Sequence, residues 1–120
     1  MPDLIEGPSR VEAAGTKPKL IDEYVGRVNT GDRAVSVAHM VAPPAWTEPY
    51  QTPEFDEVTV VLRGTVRVEH EGGHTDVTAG QAVRTRAGER VRYSTLNEET
   101  EYVAVCLPAF GPELARRDPE

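Results

Sequence analysis

The chain has 120 residues, 38% of them hydrophobic and 28% charged, and carries a formal net charge of -7. A chain of that length builds one domain, removing roughly two-thirds of its unfolded surface from water. The acidic balance argues against nucleic acid and against an acidic membrane surface, because phosphate neutralisation needs a concentrated basic face, and no apolar run approaches the roughly 20 residues of a membrane span.

Residues 1–16 are polar and broken by Pro2, Gly7, Pro8 and Gly15. They read as an extended arm with one short strand near Arg10 to Ala13. The opening MPDLIEGPSR lacks a basic region followed by an apolar segment, and the single cysteine, Cys106, excludes an internal disulfide. A reducing cytoplasm is the expected setting. From Lys17 to Val25, Leu20 with Tyr24 and Ile21 with Val25 share faces at four-residue spacing before Gly26, which predicts one short helix. After the turn NTGD, Ala34 to Ala42 alternates Val35, Val37, His39 and Val41 against Ser36, Ala38 and Met40, a strand closed by Pro43 and Pro44.

The stretch WTEPYQTPEFDEVTVVLRG, Trp46 to Gly64, is a proline-broken loop that becomes a β-branched strand near Glu57 and ends in a glycine turn. Acids at such a junction sit where a barrel points groups into its mouth. Thr65 to His70 alternates again, EGGH turns the chain, and Thr75 to Thr78 returns as a hairpin. Gln81 to Arg86, Arg90 to Thr95 and the apolar Glu101 to Leu107 supply further strands, and Pro108 ends the last. Short strands at turn-punctuated spacing with almost no helix predict an all-β closed barrel or jelly roll. The organisation expected is an arm and short helix over residues 1–33, a barrel over 34–110 and a tail over 111–120.

A carboxylate, six residues and a glycine (Glu57 to Gly64), a glycine hairpin, and then a strand–AGE–strand unit within Gly80 to Tyr93 resemble the two motifs of the cupin superfamily. The resemblance covers residues 34–110 and implies a double-stranded β-helix. FDEVTVVLRGTVRVEHEG and YVAVCLPAF are most similar to small single-domain cupins of the ethanolamine-utilisation type. Cupins include dioxygenases, isomerases, lyases, decarboxylases, storage proteins and ligand sensors, so the resemblance implies a fold and leaves the activity open. Metal-binding cupins use a His-x-His ahead of the glutamate and a third histidine in the second motif. Here those places hold Tyr50, Thr52 and Val91, and only Glu57 is kept. A valine cannot ligate a metal, so neither a metal nor any other cofactor is expected.

If Glu57 points inward as the resemblance implies, it is a carboxylate among valines, with a pKa raised by desolvation into the range of a general acid or base. Tyr93, two residues beyond Val91, shares the inward face as a proton donor, and His39 is a second candidate base. Their plain alternatives are an ion pair with an arginine for Glu57, a core residue for Tyr93 and a satisfied core histidine for His39. Trp46, Tyr50, Thr52 and Glu48 are candidate ligand contacts at the mouth. Trp46 reads equally as a barrel-end plug or a subunit contact, and Glu48, Glu54 and Asp56 as rim charges. Arg84 with Arg86 and Arg90 with Arg92 fall at period two on strands expected to be neighbours, forming either a grip for a carboxylate or phosphate or a solvated face. His70 and His74 flank an exposed turn without a third ligand, and Cys106 reads as a buried inert thiol.

Three functions follow. The first is a small metal-independent cupin enzyme, of lyase or isomerase type, performing isomerisation, dehydration, elimination or cyclisation on a small oxygenated or anionic substrate. The second is a non-catalytic small-molecule-binding or accessory cupin, and the third an atypical metal-dependent cupin oxygenase. The partners expected are a small-molecule ligand in the barrel and a second copy of the chain in a homodimer built through the N-terminal arm, with no nucleic acid and no membrane.

Overall fold

In the computed structural model, which describes residues 1–119, two antiparallel sheets face each other. The larger is formed by β1 (Ser9–Val11), β2 (Leu20–Val25), β3 (Ser36–Ala42), β9 (Thr100–Leu107), β4 (Asp56–Arg63) and β7 (Ala82–Thr85), in that spatial order. The smaller is β6 (Gly73–Thr78), β5 (Thr65–His70) and β8 (Arg92–Thr95). This is the jelly-roll architecture that the strand pattern predicts. No described helix is long and apolar enough to cross a membrane.

Alternation sets which residues face between the sheets. On β9 the inward set is Thr100, Tyr102, Ala104 and Cys106, all buried, and on β3 it is Ser36, Ala38, Met40 and Ala42. Val61 of β4 packs with Trp46, Val66, Val68, Val77, Val91, Tyr93 and Tyr102 as the main core. A smaller cluster of Phe55, Cys106 and Ala115, flanked by Phe110 and Leu114, fills one end. β4 lies between β9 and β7 with Glu57 opposite Cys106 on one side and Thr85 on the other, so the strand's register aims that carboxylate between the sheets.

Two expectations need correction. The segment 17–25 is not helical: Leu20–Val25 is β2, paired with β1 and β3. The four-residue spacing of its apolar residues is outweighed by two neighbouring strands that take up its backbone hydrogen bonds. The helical turn of the structure is α1 (Pro112–Ala115), in the tail. The two arginine-bearing strands are also not neighbours, because β7 joins β4 in the larger sheet and β8 joins β5 in the smaller.

Candidate active site

A cavity of about 70 Å³ lies between the sheets, and its polar wall includes Lys19, Glu48, Glu57, Tyr93, Tyr102 and Arg117. Ile21, Ala38, Met40, Ala104 and Phe110 supply apolar wall. At one probe sphere of about 10–15 Å³ per water, such a space holds a ligand of about five or six non-hydrogen atoms.

Glu57 is the acid that the cavity brings towards neutrality. Burial, reinforced by the nearby Glu48 carboxylate, pushes its carboxyl up from 4.5 to about 7, against smaller opposing effects of Lys19, Thr59 and Cys106. Thr59 Oγ1 stands 3.4 Å from Glu57 Oε2, a weak hydrogen bond that leaves most of the carboxyl's capacity free. Glu48 is buried and its carboxyl is likewise raised, chiefly by desolvation, with Lys19 and Arg117 opposing. Two acids in one cavity disfavour each other's ionised form, which together with desolvation makes a carboxyl that exchanges protons near neutrality.

Tyr93 is buried beside them, its phenol hydrogen-bonded to Thr85 Oγ1 at 2.9 Å. Burial, then the Glu57 charge, raises its pKa well above the usual value, so it remains a neutral hydrogen-bond donor. Lys19 enters from the segment just ahead of β2. Its Nζ lies 3.0 Å from Tyr102 Oη and 3.9 Å from the centroid of the Trp46 ring. Desolvation lowers the pKa of this amine, with Glu48 and Glu57 acting in the opposite sense. Arg117, from the tail, lines the same cavity, and its Nε is buried without a hydrogen-bond partner among the described residues.

The residues singled out from the sequence divide between the cavity and other places. Glu57, Tyr93 and Glu48 are brought together in it. Trp46 is a core residue beneath Lys19, its indole donating to Ala14 O at 3.2 Å. His39 faces away, on the outer side of β3, where its Nε2 meets Glu101 Oε2 at 2.6 Å. Tyr50 donates to Glu69 at 2.8 Å and is covered by the guanidiniums of Arg90 and Arg92, 4.0 and 4.5 Å from its ring centroid. Arg92 is paired with Glu69 at 2.6 Å and Arg90 with Asp118 at 2.5 Å. Tyr50 and Arg92 thus line a separate outer hollow, which shares only Glu48 with the cavity. Thr52 is half-buried and uses its backbone amide on Arg116 O, while Arg84 is exposed. Of the other acids at the loop, Glu54 pairs with Arg116 at 3.1 Å and Asp56 accepts from the Ala87 amide at 2.8 Å.

The donor set does not fit the metal centre of histidine-bearing cupins. Tyr50 is turned to the outer hollow, Val91 is fully buried in the core, and no group of three His, Cys, Asp or Glu side chains among the described residues is placed to hold an ion. Glu57 and Glu48 offer hard oxygen donors without imidazole.

Lys19, Tyr102 and Arg117 are cavity residues that motif reasoning passed over. Lys19, Ile21 and Glu23 all line the cavity, while Leu20 and Tyr24 are exposed. That period-two signal is legible once the segment is read as a strand. Tyr102 alternates with the apolar residues of β9, and Arg117 reaches the cavity through a bridge between its backbone and Gln51, for which no local pattern exists.

Comparison with solved structures places this arrangement. An ethanolamine utilization protein Q of Salmonella typhimurium superposes with a TM-score of 0.67 over 86% of this chain and 97% of that chain, at 18% identity. The fold of this chain is that of a cupin. A predicted oxalate decarboxylase of Thermotoga maritima matches with a TM-score of 0.70 and 20% identity over 85% of this chain and 92% of its own. A variant of Bacillus subtilis oxalate decarboxylase reaches 0.75 at 18% identity, over 94% of this chain and 31% of that chain. At these identities the likeness concerns the cupin fold. No family model matches the sequence. In sequence, 101 residues are 44% identical to part of a Myxococcus xanthus protein named endoribonuclease YbeY, covering 83% of this chain and 34% of that protein. The chain thus spans about a third of the length of that curated relative.

Proposed function

We propose that this cupin is a small acid–base enzyme in which Glu57 moves a carbon-bound proton of a small oxygenated substrate, without a metal. One observation carries the reading: a carboxyl held near neutrality, at about 7, in a cavity between the sheets that the neutral phenol of Tyr93 also lines. A base poised near the working pH combines a usable ionised fraction with enough basicity to take a proton. Tyr93 then donates a hydrogen bond to the substrate oxygen on which charge develops. The apolar wall excludes water from that step.

The test uses proton exchange from a panel of small oxo and hydroxy acids in deuterium oxide, followed by proton NMR. Glu57→Gln, which keeps shape and hydrogen bonding, is expected to lower exchange by about 10²-fold or more, while the fold is retained. Exchange undiminished in the variant would remove Glu57 from the mechanism.

A second reading, a non-catalytic accessory module, is favoured by one specific observation: the sequence match is to a segment of a protein more than twice as long that is named as an endoribonuclease. The net charge of -7 speaks against RNA as a direct ligand of this chain. In that reading no acid of the panel exchanges protons with the wild-type protein, whatever stands at position 57.

A further inference from the structure

Lys19 stands out among the groups that the acid–base reading leaves unused. The chain contains two lysines, Lys17 and Lys19. Lys17 is exposed, its Nζ donating to Pro44 O at 3.0 Å. Lys19 instead projects into the cavity wall, its Nζ held between the Trp46 ring and the Tyr102 hydroxyl. No carboxylate forms an ion pair with it among the described residues. The aromatic faces favour the ammonium form, whereas burial lowers the pKa of the amine against the pull of the Glu48 and Glu57 charges. Desolvation of this kind enlarges the neutral fraction of the amine, which is the form that attacks carbonyl carbon.

Resting on the Glu57 reading of the same cavity, we propose that Lys19 captures a short-chain 2-oxo acid as an imine. Arg117 supplies the second half of the recognition. It lines the cavity, its guanidinium lies 5.7 Å from the Phe110 ring centroid without a side-chain hydrogen bond or ion pair among the described residues, and its Nε is buried without a partner there. A carboxylate is the group that satisfies a guanidinium in two places at once. The cavity volume of about 70 Å³ admits the three carbons and three oxygens of pyruvate, the smallest such acid with a proton on the carbon next to its carbonyl. Glu57 and Glu48, both with raised pKa values, repel the incoming anion less than ordinary carboxylates would.

The chemistry balances without an external oxidant or reductant. The neutral amine adds to the carbonyl carbon, a C–N bond forms, and the amine proton passes to the oxygen to give a carbinolamine. The C–O bond then breaks with proton donation to that oxygen, releasing water and leaving the iminium. Tyr102 Oη, 3.0 Å from Nζ, is the nearest proton relay. The iminium draws electron density from the adjacent carbon, so that Glu57 in its ionised form can remove a proton there and leave the neutral enamine.

The test incubates the full chain with pyruvate and sodium cyanoborohydride, then locates the reduced adduct by peptide mass spectrometry, with deuterium uptake at the pyruvate methyl followed in parallel. The expected result is labelling of Lys19 about tenfold or more faster than of Lys17, the built-in exposed control. Lys19→Arg should abolish the adduct at that position and slow deuterium uptake. Glu57→Gln should keep the Lys19 adduct while losing uptake. Equal labelling of both lysines, or of Lys17 alone, overturns the imine, as does an unlabelled protein. In those cases uptake that still depends on Glu57 leaves the acid–base reading standing. An adduct at Lys19 with undiminished uptake in Glu57→Gln supports the imine and removes Glu57 instead.

Discussion

Glu57 and Lys19 show how far single residues can be read. Glu57 was identifiable from its place at the start of a strand with six residues between it and Gly64, and the structure aims it inward through the register of that strand against both neighbours. Its elevated pKa has a consequence for stability. Between 4.5 and about 7 the folded chain holds a proton at Glu57 that the unfolded chain has released. Stability therefore falls as pH rises through that window and levels off above it. Glu57→Gln removes the titration, so the variant should gain on the wild type in thermal unfolding as pH is raised from 5 to 8. Parallel melting curves for the two proteins across that range would argue against the buried carboxyl. Lys19 was not identifiable in the same way, because a lysine beside a proline in a polar segment carries no signal until the partner strands of β2 are known. Cys106 is the reverse case: the thiol that the apolar strand marks as inert is buried, and both burial and the Glu57 charge hold it protonated.

At the scale of elements, strands bounded by glycine turns were legible and the one predicted helix was not. Thr65–His70 is a strand over the residues that alternation predicts, and Glu101 to Leu107 gains only Thr100. The segment 17–25 carries apolar spacing compatible with either period, and its outcome depends on β1 and β3, which lie outside any local window. The turn after β4 has a specific requirement. Gly64 has φ +82°, and a Cβ there would meet Thr100 Oγ1 at 2.4 Å and Glu99 O at 2.9 Å. Gly64→Ala should cost about 1–3 kcal/mol through left-handed strain and the displacement of β9, measurable as a lower urea midpoint. A midpoint equal to that of the wild type would mean that this turn tolerates a side chain. The same steric logic holds at Gly15, where a Cβ would stand 2.2 Å from the Trp46 indole nitrogen, so the arm passes close over the core at that point.

For the whole molecule, the cavity is a product of two sheets and the segments that border them. The N-terminal arm contributes Val11, Glu12 and Ala14 to its wall, the segment ahead of β2 contributes Lys19 and the tail contributes Arg117, while the strands contribute Glu57, Tyr93 and Tyr102. This explains why the fold was legible in the sequence and the site only in part. Residues on regular strands follow the period-two rule, whereas residues from the arm and tail arrive by tertiary placement. It also explains the turning aside of Tyr50, which is drawn to Arg90, Arg92 and Glu69 on the outer surface. A cupin fold with one inward motif carboxylate, a second buried acid and an enclosed amine is suited to proton transfer at carbon. Its central requirement is that Glu57 titrates near neutrality. Side-chain carboxyl carbon NMR across a pH series, with Glu57→Gln supplying the assignment, measures this directly. The account predicts a midpoint of about 7 for the Glu57 carboxyl, and a midpoint at the ordinary value of 4.5 would contradict it.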